Sequence, residues 1–151
     1  MGVAAATNVV LYYLEQQPVA SPLGHIQSVQ RCTRPVTPIP GTPAWLSGVM
    51  SVSGELLSLL DLSAFLSLPS QRLEKPTVML VCQLSHQRYG VLVSRCVGRF
   101  SACSVEQQTT RITPCLRPYV TEMVNVNDII CPFFDLIALC ADLGVAESQP
   151  A

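Results

Sequence analysis

Two aspartates in matching surroundings are the first residues of this chain whose type and spacing suggest chemistry. Asp61 and Asp135 each end a short apolar run, and a pair of carboxylates could share one proton, as in aspartic proteases. That chemistry needs small residues after each aspartate, so that both carboxylates meet in a tight loop. Bulky apolar residues with helical spacing follow instead. We therefore predict that Asp61 and Asp135 are structural helix N-caps, each accepting a backbone N–H from the first turn.

Cysteine is the second residue type that could carry chemistry, since the chain has seven cysteines and two histidines. No two cysteines have the C-x-x-C spacing, which excludes a zinc ribbon or a thioredoxin motif. Cys82 and His86 are four positions apart, and a strand followed by a hairpin tip would separate their side chains. Most cysteines lie in apolar runs, where a thiol acts as a small hydrophobic group. We predict reduced, structural cysteines and no catalytic residue, metal or cofactor; the remote alternative is a small cysteine hydrolase.

Composition points to a binding protein. Apolar residues make up 49% of the 151 residues and charged residues 13%, about half the usual charged fraction. Such a chain leaves apolar surface exposed, and exposed apolar patches typically mark interfaces. The net charge of −1 and the scattered arginines argue against a nucleic-acid partner. No charge-free apolar stretch reaches the roughly 18 residues of a spanning helix, so we expect a cytoplasmic protein without direct membrane insertion.

The elements that position these residues are mostly strands of five to eight residues with turn-rich spacing, which indicates a small barrel or sandwich. The predicted strands are Val9–Leu14, Val19–Leu23, Leu46–Val52, Leu56–Leu60, Thr77–Leu84, Tyr89–Val93, Val97–Phe100, Thr121–Val126 and Ile129–Phe134. Short helices are predicted after the two aspartates, at Leu62–Leu68 and Leu136–Leu143, and a weaker helical signal covers His25–Arg31.

The two halves of the chain resemble each other. The residues around Asp61 overlay those around Asp135 at an offset of 74, and Gln17–Ala20 falls against Gln87–Gly90 at an offset of 70. We predict one domain over 1–151 with two related β-subdomains, approximately 19–75 and 77–143, each closed by a capped helix. The strand at 9–14 and the last helix are expected to pack between them.

The segment Pro40–Leu68 carries a resemblance to a known family. It contains, in order, proline, glycine, proline and an aromatic residue, then Gly48, Gly54 and Asp61 between apolar runs. This order resembles the signature of the CheW family of chemotaxis coupling proteins. The strand Val9–Leu14 and the run Arg88–Val93 are similar to two further strands of that family. The resemblance covers roughly residues 9 to 143.

The resemblance implies a mainly β fold of two small five-stranded SH3-like barrels. It implies a non-enzymatic adaptor that couples transmembrane chemoreceptors to a CheA-type histidine kinase in chemotaxis signalling. In the family, one subdomain packs against a barrel of the kinase, and the groove between subdomains takes the cytoplasmic tip of a methyl-accepting chemoreceptor. The protein would then be recruited to membrane-associated receptor arrays. The alternative is a CheW-like module of another system, such as type IV pilus motility or a polar-localisation complex.

The resemblance also implies where partners bind. Family members usually carry arginine before the second glycine, where this chain has Ser53. Serine cannot form the paired hydrogen bonds by which arginine holds a carboxylate, so we expect either that the partner has lost the matching acidic group or that a nearby arginine, such as Arg31 or Arg34, replaces it. The residues predicted to contact a partner are Gly48, Val52, Ser53, Gly54, Arg31 and Arg34.

Overall fold

The structure, a computed structural model, describes residues 7–31, 41, 46–52, 54–62, 78–84, 87–105, 117–139 and 141–142. Ten strands are seen in these residues: β1 Thr7–Leu14, β2 Gln17–Pro22, β3 Ser28–Arg31, β4 Leu46–Val52, β5 Glu55–Asp61, β6 Val78–Leu84, β7 Gln87–Val93, β8 Arg95–Val105, β9 Val120–Val126 and β10 Ile129–Phe134. Short 3-10 turns occupy Leu23–His25 and Arg117–Tyr119. Residues 136–139 and 141–142 are helical and are called here the helical segment.

The strands form two five-stranded sheets. One is a closed barrel with the order β1-β2-β10-β9-β8, and the other is a sheet with the order β3-β6-β7-β5-β4. The mainly β prediction is therefore confirmed, and the strands predicted at Leu46–Val52 and Ile129–Phe134 have the predicted bounds.

The helix predicted over His25–Arg31 is wrong. After the 3-10 turn the chain enters β3, which pairs antiparallel with β6 from Ser28 opposite Val81 to Arg31 opposite Val78. The Gln27 amide donates to the Val81 carbonyl oxygen at 2.7 Å just before the strand. Pairing with a distant strand thus decides this segment, because a few residues of helical pattern make too few bonds to hold a helix alone.

The internal repeat is visible in the strand register. In the sheet, β5 pairs parallel to β7 with Leu59 opposite Gly90. In the barrel, β10 pairs parallel to β2 with Phe133 opposite Ala20. Leu59 and Phe133 are 74 positions apart, and Ala20 and Gly90 are 70 positions apart. The two pairs are therefore equivalent positions of the internal repeat. The two sheets are thus built on the same strand plan, and each places a small residue on the strand opposite a bulky one.

The division of the chain between the sheets differs from the predicted subdomains 19–75 and 77–143. Strands β6 and β7, from the second predicted half, complete the sheet that contains β3 to β5, whereas β1 and β2 complete the barrel formed with β8 to β10. The physical reason lies in the parallel pairing. Parallel neighbours need a long connection, so β5 and β10 take partners that are distant along the chain.

The described residues form three apolar clusters. The first is contributed by all five barrel strands, including Val9 and Leu11, and fills the barrel. The second joins strands of the sheet around Leu59 and Met79. The third is the largest and contains residues of both sheets together with Leu136 of the helical segment. This third cluster is called here the seam between the sheets. Because successive strand residues point to opposite faces, one face of β1 packs in the barrel interior and the other packs in the seam.

Two short stretches carry the chain from one sheet to the other in the described residues. The first crossing runs through the 3-10 turn at Leu23–His25, between β2 and β3. The second is Ser94, between β7 and β8. The Ser94 amide donates to the Tyr13 carbonyl oxygen at 3.0 Å, and the Ser94 hydroxyl oxygen accepts from the Glu15 amide at 2.8 Å. The second crossing is therefore fastened to the β1–β2 hairpin.

Candidate partner-binding surface

The β4–β5 hairpin contains most of the residues predicted to contact a partner. Val52 pairs with Glu55 across its tip, and Gly54 is exposed in the turn with a φ of 82°. That φ lies in the left-handed region that glycine adopts without steric cost. Ser53 lies outside the described residues. The tip is therefore a tight turn with an open, solvent-facing backbone at the glycine.

Gly48 lies at the other end of the hairpin and is buried. The register between β4 and β5 shifts between Leu46 and Gly48, which pairs with Leu59, and the φ of Gly48 is 142°. A β-bulge of this kind bends and twists the strand that carries it. Gly48 thus shapes the hairpin and offers no side chain to a partner.

The predicted arginines are placed away from this tip or cannot be described. Arg31 is exposed at the end of β3, and β3 and β4 are the two terminal strands of the sheet order. Arg34 lies outside the described residues.

A different arginine lies beside the hairpin tip. Arg88 of β7 forms an ion pair with Glu55, with 3.1 Å between guanidinium Nη1 and carboxylate Oε2. Both side chains are well exposed, so the pair contributes at most about 1 kcal/mol to stability. Leu56 follows Glu55 and is the most exposed large apolar residue in the described part of the chain, at 72%. Because successive strand residues point to opposite faces, the tip presents the exposed Leu56 on one face of the sheet and the pair of charges on the other.

No local pattern could have revealed the pair of Glu55 and Arg88, which lie 33 positions apart in the sequence. The parallel alignment of β5 with β7, with Ser58 opposite Tyr89, brings them together. The sequence showed both strands but gave no sign that they are neighbours.

The two predicted caps differ in what can be observed. The Asp135 carboxylate Oδ1 accepts a hydrogen bond from the Ala138 amide at 3.0 Å, which is the bond that an N-cap makes three residues into a helix. Asp61 ends β5 and is followed by Leu62 in helical conformation; the rest of the predicted helix lies outside the described residues.

Tyr119 binds the helical segment near both of its ends. The Asp135 amide donates to the Tyr119 carbonyl oxygen at 2.8 Å, and the Tyr119 hydroxyl donates to Asp142 Oδ2 at 2.8 Å. Burial, and then the hydrogen bond and charge of Asp142, raise the pKa of Tyr119 to about 12. The Tyr119 ring also packs against Phe134, with 5.8 Å between centroids. Tyr119 thus holds both ends of the helical segment against the barrel.

The cysteines show no sign of catalysis where they can be described. Cys82 is buried in the seam between the sheets, and its Sγ lies 3.9 Å from the Leu80 carbonyl oxygen. His86 lies outside the described residues. Cys131 is fully buried, and burial raises the pKa of its thiol to about 12, which is the opposite of what a nucleophile requires. Within the described residues no three histidine, cysteine or acidic side chains are grouped closely enough to bind a metal.

The helices of the described residues include none with the length and apolar character needed to cross a membrane.

Comparison with known proteins gives a matching family and similar solved structures, of which one is described here. The model of the family described as "CheW-like domain" matches residues 8–144. The crystal structure of the scaffolding protein TtCheW from Thermoanaerobacter tengcongensis is similar, with a TM-score of 0.72 and 15% sequence identity. The match covers 86% of this chain and 89% of that one, and at this identity the likeness concerns the fold. No curated protein matches the chain.

Proposed function

We propose, since this chain belongs to the CheW-like domain family, that it is a non-enzymatic adaptor between transmembrane chemoreceptors and a CheA-type histidine kinase. Its partners would be the kinase and the cytoplasmic tip of a methyl-accepting chemoreceptor. The single observation that carries the proposal is the family match over residues 8–144. The structural likeness to a scaffolding protein of similar length supports it.

The surface that we propose for partner contact is the tip of the β4–β5 hairpin together with Arg88 of β7. It combines the exposed Leu56 with the ion pair of Arg88 and Glu55. Arginine is among the residues that are enriched in the core of protein interfaces. Arg88 also pairs with Glu55, which lies opposite Val52 at this tip, so we propose that it supplies a cation to the partner in place of the arginine that the resemblance implies.

The experiment is a binding measurement with purified partners. The full chain is titrated, by calorimetry or surface plasmon resonance, against a CheA-type kinase and separately against a chemoreceptor cytoplasmic fragment. Binding to both, and formation of a ternary complex, is the expected result. If either partner shows no binding at a concentration of about 100 μM, its dissociation constant is above that of a specific complex. That result would refute the adaptor role.

Charge reversal at the proposed surface locates the contact. Arg88→Glu should weaken binding to the kinase or to the chemoreceptor fragment at least about tenfold, equivalent to 1.4 kcal/mol. Arg99→Glu is the matched control, because Arg99 is exposed on β8 of the barrel and the charge change is the same. Equal effects of both variants would show that net charge, and not this surface, determines binding.

Ser53 favours a second candidate, a CheW-like module of type IV pilus motility or of a polar-localisation complex. Binding panels that include kinases and receptors from flagellar and pilus systems discriminate between the two. If the native partner is adapted to serine, the Ser53→Arg variant of this chain should bind that partner with unchanged or lower affinity. The same variant should bind a conventional receptor–kinase pair with higher affinity than the unaltered chain. Tight binding of the unaltered chain to a conventional pair, without a response to Ser53→Arg, would exclude this turn as the contact.

A further inference from the structure

The first crossing between the sheets carries a histidine that faces the cap of the helical segment. His25 ends the 3-10 turn that leads from β2 towards β3, and its Nδ1 lies 3.9 Å from Oδ1 of Asp135. The His25 Nδ1 atom is buried and has no hydrogen-bond partner in the described part of the chain. A buried ring nitrogen without a partner is costly, so its position next to a carboxylate calls for a physical explanation.

The carboxylate oxygen nearest to His25 is already in use. Oδ1 of Asp135 is also the atom that accepts the Ala138 amide at 3.0 Å and so caps the helical segment. The segment is joined to the seam between the sheets through Leu136 and Leu139, both fully buried. One oxygen atom is therefore shared between a titratable side chain on the crossing and the first turn of an element that packs on both sheets.

We propose that His25 and Asp135 form a proton-operated switch, in which protonated His25 draws Oδ1 of Asp135 away from Ala138 and loosens the start of the helical segment. With neutral His25 the 3.9 Å gap stays open and the cap is intact. On protonation Nδ1–H becomes a charged donor, so its bond to the carboxylate gains an ion-pair attraction that the neutral Ala138 amide lacks, although both bonds end on the ionised oxygen. The proton comes from solvent, and no covalent bond other than Nδ1–H is formed or broken.

The charged groups around His25 allow this assignment. Burial lowers the pKa of His25 below its usual value, and the negative charge of Asp135 partly opposes that effect. Strand β1, which contacts the 3-10 turn, contains no acidic or basic residue. On the neighbouring elements, Asp142 is bound by the Tyr119 hydroxyl and Arg117 is exposed. Asp135 is thus the charge in the described residues to which the His25 imidazole responds.

The direction of the pH effect follows from the lowered pKa. The unfolded chain takes up the proton first, at about pH 6.5, whereas folded His25 takes it up at lower pH. The contribution of neutral His25 to stability is therefore complete above about pH 6.5 and is lost as the pH falls through the folded pKa. Loosening of the cap is expected in the same range, below pH 6.5.

An NMR titration of the full chain between pH 5 and 8 tests the switch. The His25 ring and the Ala138 amide are followed together, and His86→Gln identifies the ring signals, because the chain has two histidines. The expected result is that the Ala138 amide proton shifts upfield on acidification, with the midpoint of the His25 ring. His25→Gln should abolish this shift.

The matched variant is Asp135→Asn, which keeps an oxygen to cap the helix and removes the charge. In this variant the pKa of His25 should fall further, and the Ala138 amide should no longer follow the ring. The proposal is overturned if the Ala138 signal stays constant through the His25 transition in the unaltered chain. It is also overturned if the Ala138 shift persists in His25→Gln, which would show that His25 is not its source.

Discussion

Gly90 is the position at which one added methyl group should have the clearest effect. It lies on β7 between Leu59 of β5 and Val81 of β6. A Cβ at this position would lie 2.5 Å from Met79 Sδ and 2.6 Å from Leu59 Cδ2, distances that real Cβ atoms do not show. Met79 and Leu59 are both fully buried, so neither side chain can turn away into solvent.

The expected cost of Gly90→Ala can be worked from this geometry. Overpacking a filled core typically costs about 1–3 kcal/mol, whereas exchanging a strand glycine for alanine otherwise gains about 0.5–1 kcal/mol. The midpoints of these two ranges give a net loss of about 1 kcal/mol in the free energy of unfolding. Urea denaturation followed by circular dichroism measures this, with an unchanged m-value showing that the denatured state is unaltered.

A control and a second-site variant make the steric explanation testable. At Gly24 an added Cβ would meet nothing within 4 Å, so Gly24→Ala should stay within about 0.5 kcal/mol. Met79→Ala removes the colliding Sδ and Cγ atoms, and the double variant with Gly90→Ala should therefore lose less than the two single losses combined. Full additivity, or an unaltered stability of Gly90→Ala, would refute the close-packing argument.

Three further predictions concern other parts of the molecule. Asp135→Ala should lower the free energy of unfolding by about 0.5–2 kcal/mol and Asp135→Asn by much less; equal losses in thermal denaturation would contradict the cap. The buried Tyr12 hydroxyl bonds the Ser21 hydroxyl, which donates to a β10 carbonyl oxygen, each at 2.8 Å. Ser21→Ala should cost about 1–3 kcal/mol and Tyr12→Phe less, and a double-mutant cycle without coupling would disprove the chain of bonds. Because the pKa of Cys131 is raised to about 12 from 9.0, its thiolate fraction at pH 8 is roughly a thousandfold lower than normal. A thiol reagent should label exposed Cys103 first, and rapid labelling of Cys131 in the native protein would contradict its burial.

The strands could be predicted because their signals are local. Short apolar runs and their turn-rich spacing mark most of the strands, and Leu46–Val52 and Ile129–Phe134 were predicted with their observed bounds. The segment Ser28–Arg31 shows the limit of this approach. Its four residues are too few for a period to be recognised, and their strand conformation depends on pairing with β6.

Strand order was beyond the reach of local signals. The internal offsets identified the equivalent strands, but similarity between segments does not say which sheet each segment joins. A hairpin can pair with either of two sheets that have the same strand order, and the packing of its two faces decides which sheet it joins. In this chain the Val9 face of β1 fills the barrel and the Tyr12 face joins the seam.

The candidate site was predicted in part. Gly54, one of the residues predicted to contact a partner, lies in the turn at the hairpin tip, where its positive φ favours glycine. The approach of Arg88 to Glu55, like that of His25 to Asp135, depends on contacts between residues distant in sequence. Charged and titratable side chains carry no periodic pattern that would reveal such partners.

The β1–β2 hairpin belongs to the barrel, whose other strands lie at the far end of the described chain, and this has a consequence for biosynthesis. Every strand of the β3–β7 sheet lies in one continuous stretch of chain, so this sheet is complete before the barrel strands that follow it have been made. The β1–β2 hairpin leaves the ribosome first, yet it must wait for β10; Ser21 and its acceptor Phe134 are 113 positions apart. At about 5–20 residues per second, that interval lasts roughly ten seconds. During this time the apolar inner face of the nascent hairpin stays uncovered, so substitutions there should reduce the yield of protein in cells through capture by chaperones and proteases, even where they leave the finished barrel intact.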